Sequence, residues 1–369
     1  MAMKDDLLYQ LALTLVPNIG DVQAKILVQH FGTAASIFKA PKSALEKLEG
    51  IGTIRAKSIK EFNEFAVAEK EIAFIEKFHI QPLFILDEAY PQRLLNCYDS
   101  PTLLFYKGTA DLNSSKIVAI VGTRRNTDYG RLFTEQFVQS IAVQNVVIVS
   151  GLAYGIDAIA HKAAVKNSVP TVGVVGHGLD KIYPAENAGL AKEMIKDGGG
   201  ILTEFFSGTK PDKHNFPLRN RVVAGISDAT IVVETDIKGG SMITAKLADA
   251  YNRDVFAVPG RTTDKVSSGS NHLIKNNKAI LLTDAEQFLE IMGWQPKQKK
   301  AAKKQKELFI ELTADEKTIL KILGEKELTP IDELNLKSGL TSSAVAAATL
   351  NLELQGVITT LPGKMYKLL

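Results

Sequence analysis

Six short runs constrain this chain more than anything else in it: "KIVAIVG", "NVVIVSG", "TVGVVG", "ATIVVE", "DVFAVPG" and "AILLT". Nearly every position is apolar, and valine and isoleucine dominate. A strand with one wet face alternates apolar and polar residues. A run with no polar face has to be buried on both sides, as in a parallel sheet covered by helices front and back. Segments of helix length, such as 157–166 and 244–252, lie between the runs. The pattern predicts an α/β domain over 81–295, a Rossmann-like, doubly wound, mostly parallel sheet. Just before it, "PLFILD" and "PTLLFYKG" read as short extra strands.

The 369 residues exceed one ordinary core, so flanking domains are expected. Residues 1–80 read as all helical, with apolar positions at Leu7, Leu11, Leu15, Ile26 and Leu27 and no strand alternation. Two stretches there look alike, "VPNIGDVQAKILVQHFG" and "LEGIGTIRAKSIKEF", with glycine turns at Gly20 and Gly52. Each resembles a helix-hairpin-helix (SAM-like) unit, whose backbone amides at the turn can face a phosphate. The other reading is a purely structural helical cap. Residues 296–310 carry Lys297, Lys299, Lys300, Lys303, Lys304 and Lys306 without apolar periodicity and read as a linker.

Residues 311–369 show the order helix, helix, turn, helix, hairpin, which is that of a winged helix. A capping box is expected at Thr313 and Glu316, a second helix with Thr329 as N-cap and Pro330 in its first position, and a third helix over 342–354. That third helix offers Glu353 as its only charge, and the segment holds six lysines against eight acids. A protein-contacting or structural module fits this better than a base reader.

Composition excludes several classes. The chain is 45% hydrophobic and 23% charged, as soluble globular proteins are. No apolar run approaches the roughly 20 residues that span a bilayer, and MAMKDDLLYQ lacks a signal layout. A cytoplasmic protein with no membrane partner is expected. The single Cys97 excludes an internal disulfide and a cysteine metal cluster. The net charge of +3 proves no polyanion partner.

No cofactor, metal or catalytic residue is expected. The first strand ends in Gly122-Thr123-Arg124-Arg125, not in a dinucleotide fingerprint, and "IKGGSMITAK" lacks the Walker lysine. There is no G-x-S-x-G elbow. His161 reads as a packed helix residue. Glu204 and Glu234 end strands without an evident catalytic partner. A nucleotide-processing enzyme on the same sheet, a phosphoribohydrolase, stays as the rival reading, although "KGGSMITAK" lacks that class's proline, third glycine and glutamate.

Ligands of open α/β sheets bind at the carboxyl ends of the strands. Those ends supply amides at Gly122, Gly151, Gly155, Gly208, Gly239 and Gly240, with Ser241 before a helix, and cations at Arg124, Arg125, Lys210, Lys213, Arg219 and Arg221. Several phosphate seats along one rim suit a polyanion. Exposed bases need rings as well; Phe205, Phe206 and Phe216 are available, and Phe216 is the better platform. The stretch "HNFPLRNR", 214–221, divides into a stacking ring, a clamp at Arg219, and Arg221, which either joins the nucleic acid or ties the loop to Glu204 or Glu234.

The ordered set "VGTRRNTDYG", "SGLAYGIDAIAHKAA", "YPAEN", "NFPLRNRVVAGIS", "GGSMITAKLA", "VFAVPG" and "SGSNHLI" resembles the DNA-processing protein A (DprA, or Smf) family, and the helical and winged-helix flanks agree. The resemblance implies a non-enzymatic single-stranded DNA binder that protects incoming DNA and loads the RecA recombinase during natural transformation, as a homodimer through the core domain. By motif, the nucleic-acid site would comprise Arg124, Lys213, Phe216 and Arg219, with Gly122, Gly151, Gly240 and Ser241 at phosphates and Arg221 nearby. The chain departs from the family pattern in Thr203-Glu204 and at Asn277-Lys278-Ala279.

Overall fold

The computed structural model describes residues 2–295 and 312–369. The lysine-rich linker expected over 296–310 lies outside the described residues. The chain forms two compact units, Met1–Ile280 and Leu281–Leu369.

The first unit is built on a sheet of β1 (Gln81–Phe84), β2 (Leu103–Gly108), β3 (Ile117–Val121), β4 (Val147–Ser150), β5 (Thr171–Val174), β6 (Gly200–Thr203), β7 (Ala229–Val232) and β8 (Asp254–Ala257). Their order across the sheet is β1-β2-β6-β5-β4-β3-β7-β8, with a ninth, two-residue strand beyond β8. From β6 to β8 all neighbours are parallel, while β1 and β2 add antiparallel at one edge. Every residue of β3, β4, β5, β6 and β7 is buried, which is why these runs have no polar face.

The chain walks from β3 out to β6 and returns to β7 on the other side of β3. The helices Asp128–Ile141, Ile156–Lys166 and Ala188–Lys196 belong to the outward walk, and Asn215–Ile226 and Gly240–Ala250 to the return. Right-handed crossovers put these two groups on opposite faces and leave a crevice at the carboxyl ends of β3 and β7, the switch point. The run "AILLT" differs from expectation. It yields only a two-residue strand, β9 (Ile280–Leu281), with both residues exposed, because it is the edge strand beyond β8 rather than one flanked on both sides.

Six helices, Ala2–Leu15, Asp21–Phe31, Ala34–Lys39, Lys42–Glu46, Gly52–Glu61 and Phe65–Phe78, precede the sheet. Leu27, Ile37, Leu45 and Ile59 share one apolar core with Phe84, Leu104 and Val222. Polar ties reinforce it. Asp21 accepts from the N–H and hydroxyl of Thr102 at 2.8 and 2.9 Å, and Glu71 accepts from Ser207 N–H at 3.0 Å.

The second unit has helices Ala285–Ile291, Ala314–Leu323, Ile331–Ser338 and Ser342–Leu354, with strands β10 (Thr329–Pro330), β11 (Ile358–Leu361) and β12 (Met365–Leu368). Its own core gathers Ile319, Leu323, Leu334, Val345, Leu352 and Ile358. Thr313 and Glu316 form the expected capping box. The second helix starts differently: Pro330 is its N-cap, and Thr329 pairs with Tyr366 in the small sheet. Strand pairing overrides the capping tendency of threonine because Thr329 is buried beside the wing.

Candidate nucleic-acid interface at the strand ends

The switch-point crevice holds a cavity of about 490 Å³. Its walls come from the loops after β3 (Gly122–Arg125), β4 (Gly151, Ala153) and β7 (Thr235–Ser241), and from Phe216, Arg219, Asn220 and Val223. The last four sit at i, i+3, i+4 and i+7 of the helix Asn215–Ile226, so they share one face. The loops meet without room to spare. A Cβ on Gly155, whose φ is +75°, would lie 2.2 Å from the carbonyl oxygen of Thr123. A Cβ on Gly151 would lie 2.3 Å from Arg219 Nη1.

Gly240 opens the helix Gly240–Ala250, and no side chain caps that end. The first amides of a helix have no intrahelical acceptor and carry the positive end of its dipole. Ser241 is 7% exposed, lines the cavity, and its hydroxyl has no hydrogen-bond partner. An unanswered buried hydroxyl beside open helix amides is chemistry suited to an oxyanion. Arg124 and Arg125 are exposed at the mouth. The Arg124 guanidinium stands 5.4 Å from the centre of the Phe216 ring, a cation–π distance. Phe216 is half-buried, its edge against Gly176.

The structure separates the two arginines of "HNFPLRNR". The helix begins at Asn215, ahead of both. Residues two apart on a helix diverge by roughly 200°, so Arg219 and Arg221 leave opposite sides. Arg219 turns to the cavity floor, 6% exposed, and donates through Nη1 to the carbonyls of Gly151 and Val174. Burial lowers its pKa to about 10, so it stays charged. Asp157, fully buried beneath it, accepts from Gly151 N–H at 3.1 Å. Arg219 thus ties the ends of β4 and β5 together from inside the site, rather than projecting as a mobile clamp.

Arg221, grouped with the nucleic-acid contacts on sequence grounds, corrects to a brace. It donates to Asp99 O, to Asp21 Oδ2 at 2.9 Å, and to Glu204 Oε2. Burial acts to lower its pKa, but the two carboxylates prevail and raise it. Its partner is Glu204, not Glu234. Glu234 instead accepts from the N–H and hydroxyl of Thr127.

Lys213 is exposed in the turn before the helix and does not line the cavity. Phe206 packs edge-on against Phe105, with ring centres 5.5 Å apart. Phe205 lines a different groove, beside Leu15 and Val67. His161 is buried with Nδ1 2.7 Å from Thr171 Oγ1, and burial, then Arg219, lowers its pKa to about 3. Sequence reasoning missed Tyr154 and Tyr183, which line a recess beside Phe216; their nearness to the named motifs "GLAYGID" and "YPAEN" was the available signal. Among the described residues no group of three His, Cys, Asp or Glu side chains could hold a metal, and no helix is long and apolar enough to cross a membrane.

A doubly wound α/β sheet with an anion-suited crevice at its switch point, helix-hairpin-helix units before it and a winged helix after it, defines a class of DNA-processing proteins. The family model "DNA recombination-mediator protein A" matches residues 81–293, a DprA winged helix domain model matches 302–364, and a helix-hairpin-helix motif matches 8–71. The chain belongs to the DNA recombination-mediator protein A family. It is 33% identical to protein Smf of Synechocystis, covering 97% of this chain and 98% of that one. It is 42% identical to DNA processing protein DprA of Streptococcus pneumoniae over 58% of this chain and 75% of that one. The X-ray structure of DprA from Streptococcus pneumoniae aligns with a TM-score of 0.63 at 34% identity, covering 76% of this chain and 95% of that one. A Helicobacter pylori DNA processing protein A, solved for its single-stranded DNA binding mode, aligns with a TM-score of 0.52 at 32% identity, over 57% and 94% of the two chains.

Proposed function

We propose that this chain binds single-stranded DNA across the strand-end cavity, protects it, and loads RecA recombinase onto it during natural transformation. It acts in the cytoplasm as a homodimer through the sheet domain, without catalysis. The segments 1–80, 81–295, 296–310 and 311–369 serve as helical, DNA-binding, linker and winged-helix parts. The observation that carries this reading is the uncapped helix end at Gly240, with the unpartnered Ser241 hydroxyl, in the same cavity as the exposed Arg124 over Phe216. Phosphates would take the amides of Gly122, Gly240 and Ser241 and the cations Arg124 and Lys213, while the Gly151 amide, which Asp157 already holds, shapes the floor beside them. Arg219 holds the floor on which they sit, and Arg221 holds the fold. The Helicobacter pylori relative, described for its single-stranded DNA binding, supports the choice of ligand.

Glu204 is held by Arg221 and Glu234 by Thr127, which counts against the rival phosphoribohydrolase reading. Anisotropy of labelled oligo-dT against duplex, with rising salt, tests the proposal. The expected result is preference for the single strand, and a log–log salt slope that falls by about 0.7 for each phosphate that Arg124→Glu or Lys213→Glu no longer neutralises. Equal binding of single strand and duplex, or release of free base from nucleotides, overturns it.

A further inference from the structure

The cavity accounts for phosphates and for one ring. Phe216 is half-buried and already lies under Arg124. Beside it, two tyrosine rings stand open to solvent. Tyr183 is 45% exposed and Tyr154 is 41% exposed. Tyr183 and Phe216 have ring centres 6.2 Å apart with planes inclined by 31°, and both tyrosines line the recess next to the cavity together with Arg124.

Exposed tyrosines on a loop are commonplace, but these are held. The Tyr154 hydroxyl donates to Glu186 Oε2 at 2.6 Å. Asn187 donates to the carbonyls of Leu152 and Ala153 at 2.9 and 3.3 Å, joining the loop that carries Tyr183 to the loop that carries Tyr154. The Tyr183 N–H donates to Nε2 of the buried His177 at 3.2 Å. His177 therefore carries its proton on Nδ1, which donates to Gly178 O at 2.9 Å. Leu152 adopts a φ of +54° to make this approach, a conformation that costs a non-glycine residue and persists only where its surroundings enforce it. Rings fixed in this way lose little entropy when a flat partner covers them.

Charge sets which part of a strand they meet. Glu186 stays ionised beside Tyr154, because the hydrogen bond from that hydroxyl, with its own backbone bond, lowers its pKa. A carboxylate there repels phosphate, whereas the Gly240 helix end and Arg124 attract it. The recess measures about 20 Å³, too small to swallow a base, so bases would lie across the rings.

We propose that Tyr183 and Tyr154 form a second base-stacking platform that continues from Phe216, with the backbone of a single strand on the Gly240 side and its bases on the tyrosine side. This rests on the strand-end reading of the function. It adds a reason for strand selectivity: paired bases in a duplex have no faces to offer these rings.

The test uses the full chain and labelled oligo-dT, with an abasic deoxyribose-phosphate oligomer of equal length. Tyr154→Leu and Tyr183→Leu should each weaken oligo-dT binding about tenfold, the scale of one base-stacking contact, with an unchanged salt slope. The loss should be absent with the abasic oligomer. In Tyr183→Trp, oligo-dT should quench the new indole emission and the abasic oligomer should not. Parent-like oligo-dT affinity in both leucine variants, or equal losses with both oligomers, overturns the platform. If Arg124→Glu still abolishes binding in that case, the strand-end reading survives alone. If Arg124→Glu has no effect either, the strand-end reading itself fails.

Discussion

Helices start at glycine turns in two regions of this molecule, the helical segment and the sheet, and the surroundings of those starts differ. At Gly20 the amide of the turn donates to Gln23 Oε1 at 3.2 Å, and the first helical residue, Asp21, is drawn into Thr102 and Arg221. At its twin, Gly52, the nearby cations turn inward or along the helix. Arg55 donates to Asn18 O at 3.1 Å and to Gly50 O at 3.0 Å, and Lys57 pairs with Glu61 at 3.7 Å. At Gly240 no side chain caps the helix end, where the backbone alone answers through Gly239 N–H to Asp236 O at 2.7 Å and Met242 N–H to Gly239 O at 3.1 Å, and Ser241 Oγ is left without a partner. The glycine supplies the same amide donors in both regions. What differs is the side chains around them: Gln23 takes the Gly20 amide and the cations near Gly52 are engaged elsewhere, whereas the exposed Arg124 shares a cavity with Gly240. The hairpin glycines are engaged by side chains of their own helix starts, Gln23 and Arg55; in the sheet Gly240 stays exposed.

That contrast breaks most sharply at Arg221, which links the helical segment to the sheet. Arg221→Ala leaves Glu204 and Asp21 without their cation and should cost about 3–5 kcal/mol, the scale for breaking a buried pair. Chemical denaturation would show it, and a loss under 1 kcal/mol would refute the brace. At the open seat, Arg124→Glu should weaken oligo-dT binding roughly 100-fold, by removing a charge-assisted hydrogen bond and adding repulsion, with a near-parental midpoint of unfolding. Ser241→Asp should divide the two readouts. A carboxylate in an exposed first turn is worth about 0.3–1 kcal/mol to a helix, which opposes the cost of burying it here, and it fills the anion seat, so melting should change little while oligo-dT affinity falls.

His161 beneath the same floor gives a pH dependence. Its folded pKa of about 3 lies below the unfolded value of 6.5, so the unfolded chain binds the proton first. Its contribution is complete above pH 6.5 and drains as pH falls towards 3, by up to about 1.4 kcal/mol per pH unit. Stability of His161→Gln should show a shallower acid slope, and an identical slope would remove His161 from the account. The smallest effect belongs to the hairpins. Arg55→Ala should lower stability by about 1 kcal/mol and leave oligo-dT affinity at the parental value. A clear loss of affinity would mean the hairpins are open to DNA after all.

The strands of the sheet were readable because burial on both faces forbids polar residues, a rule that acts position by position. "AILLT" obeyed the composition and not the rule, for composition does not say whether a second helical layer will cover a run. β6, "GILT", was legible mainly through the loop that follows it. Most of the cavity's glycines and cations could be named, since anion chemistry at strand ends uses few residue types. The tyrosine pair escaped notice because Tyr154 and Tyr183 lie on separate loops that meet only through Asn187 and Glu186.

By itself, then, the sequence determined the class of fold, the rim on which the chemistry sits, and the residue types that would serve it. Those follow from local rules of burial, turn geometry and charge. Only the tertiary structure decided between identical side chains. Arg219 and Arg221 differ by two positions, and helical periodicity sends one to the floor of the cavity and the other to the carboxylates of the helical segment. Gly20 and Gly239 both stand at the N-cap of a helix, and the side chain of Gln23 answers the first while only the backbone of Asp236 meets the second. Local pattern specifies what a group can do; which partners reach it first is settled by packing.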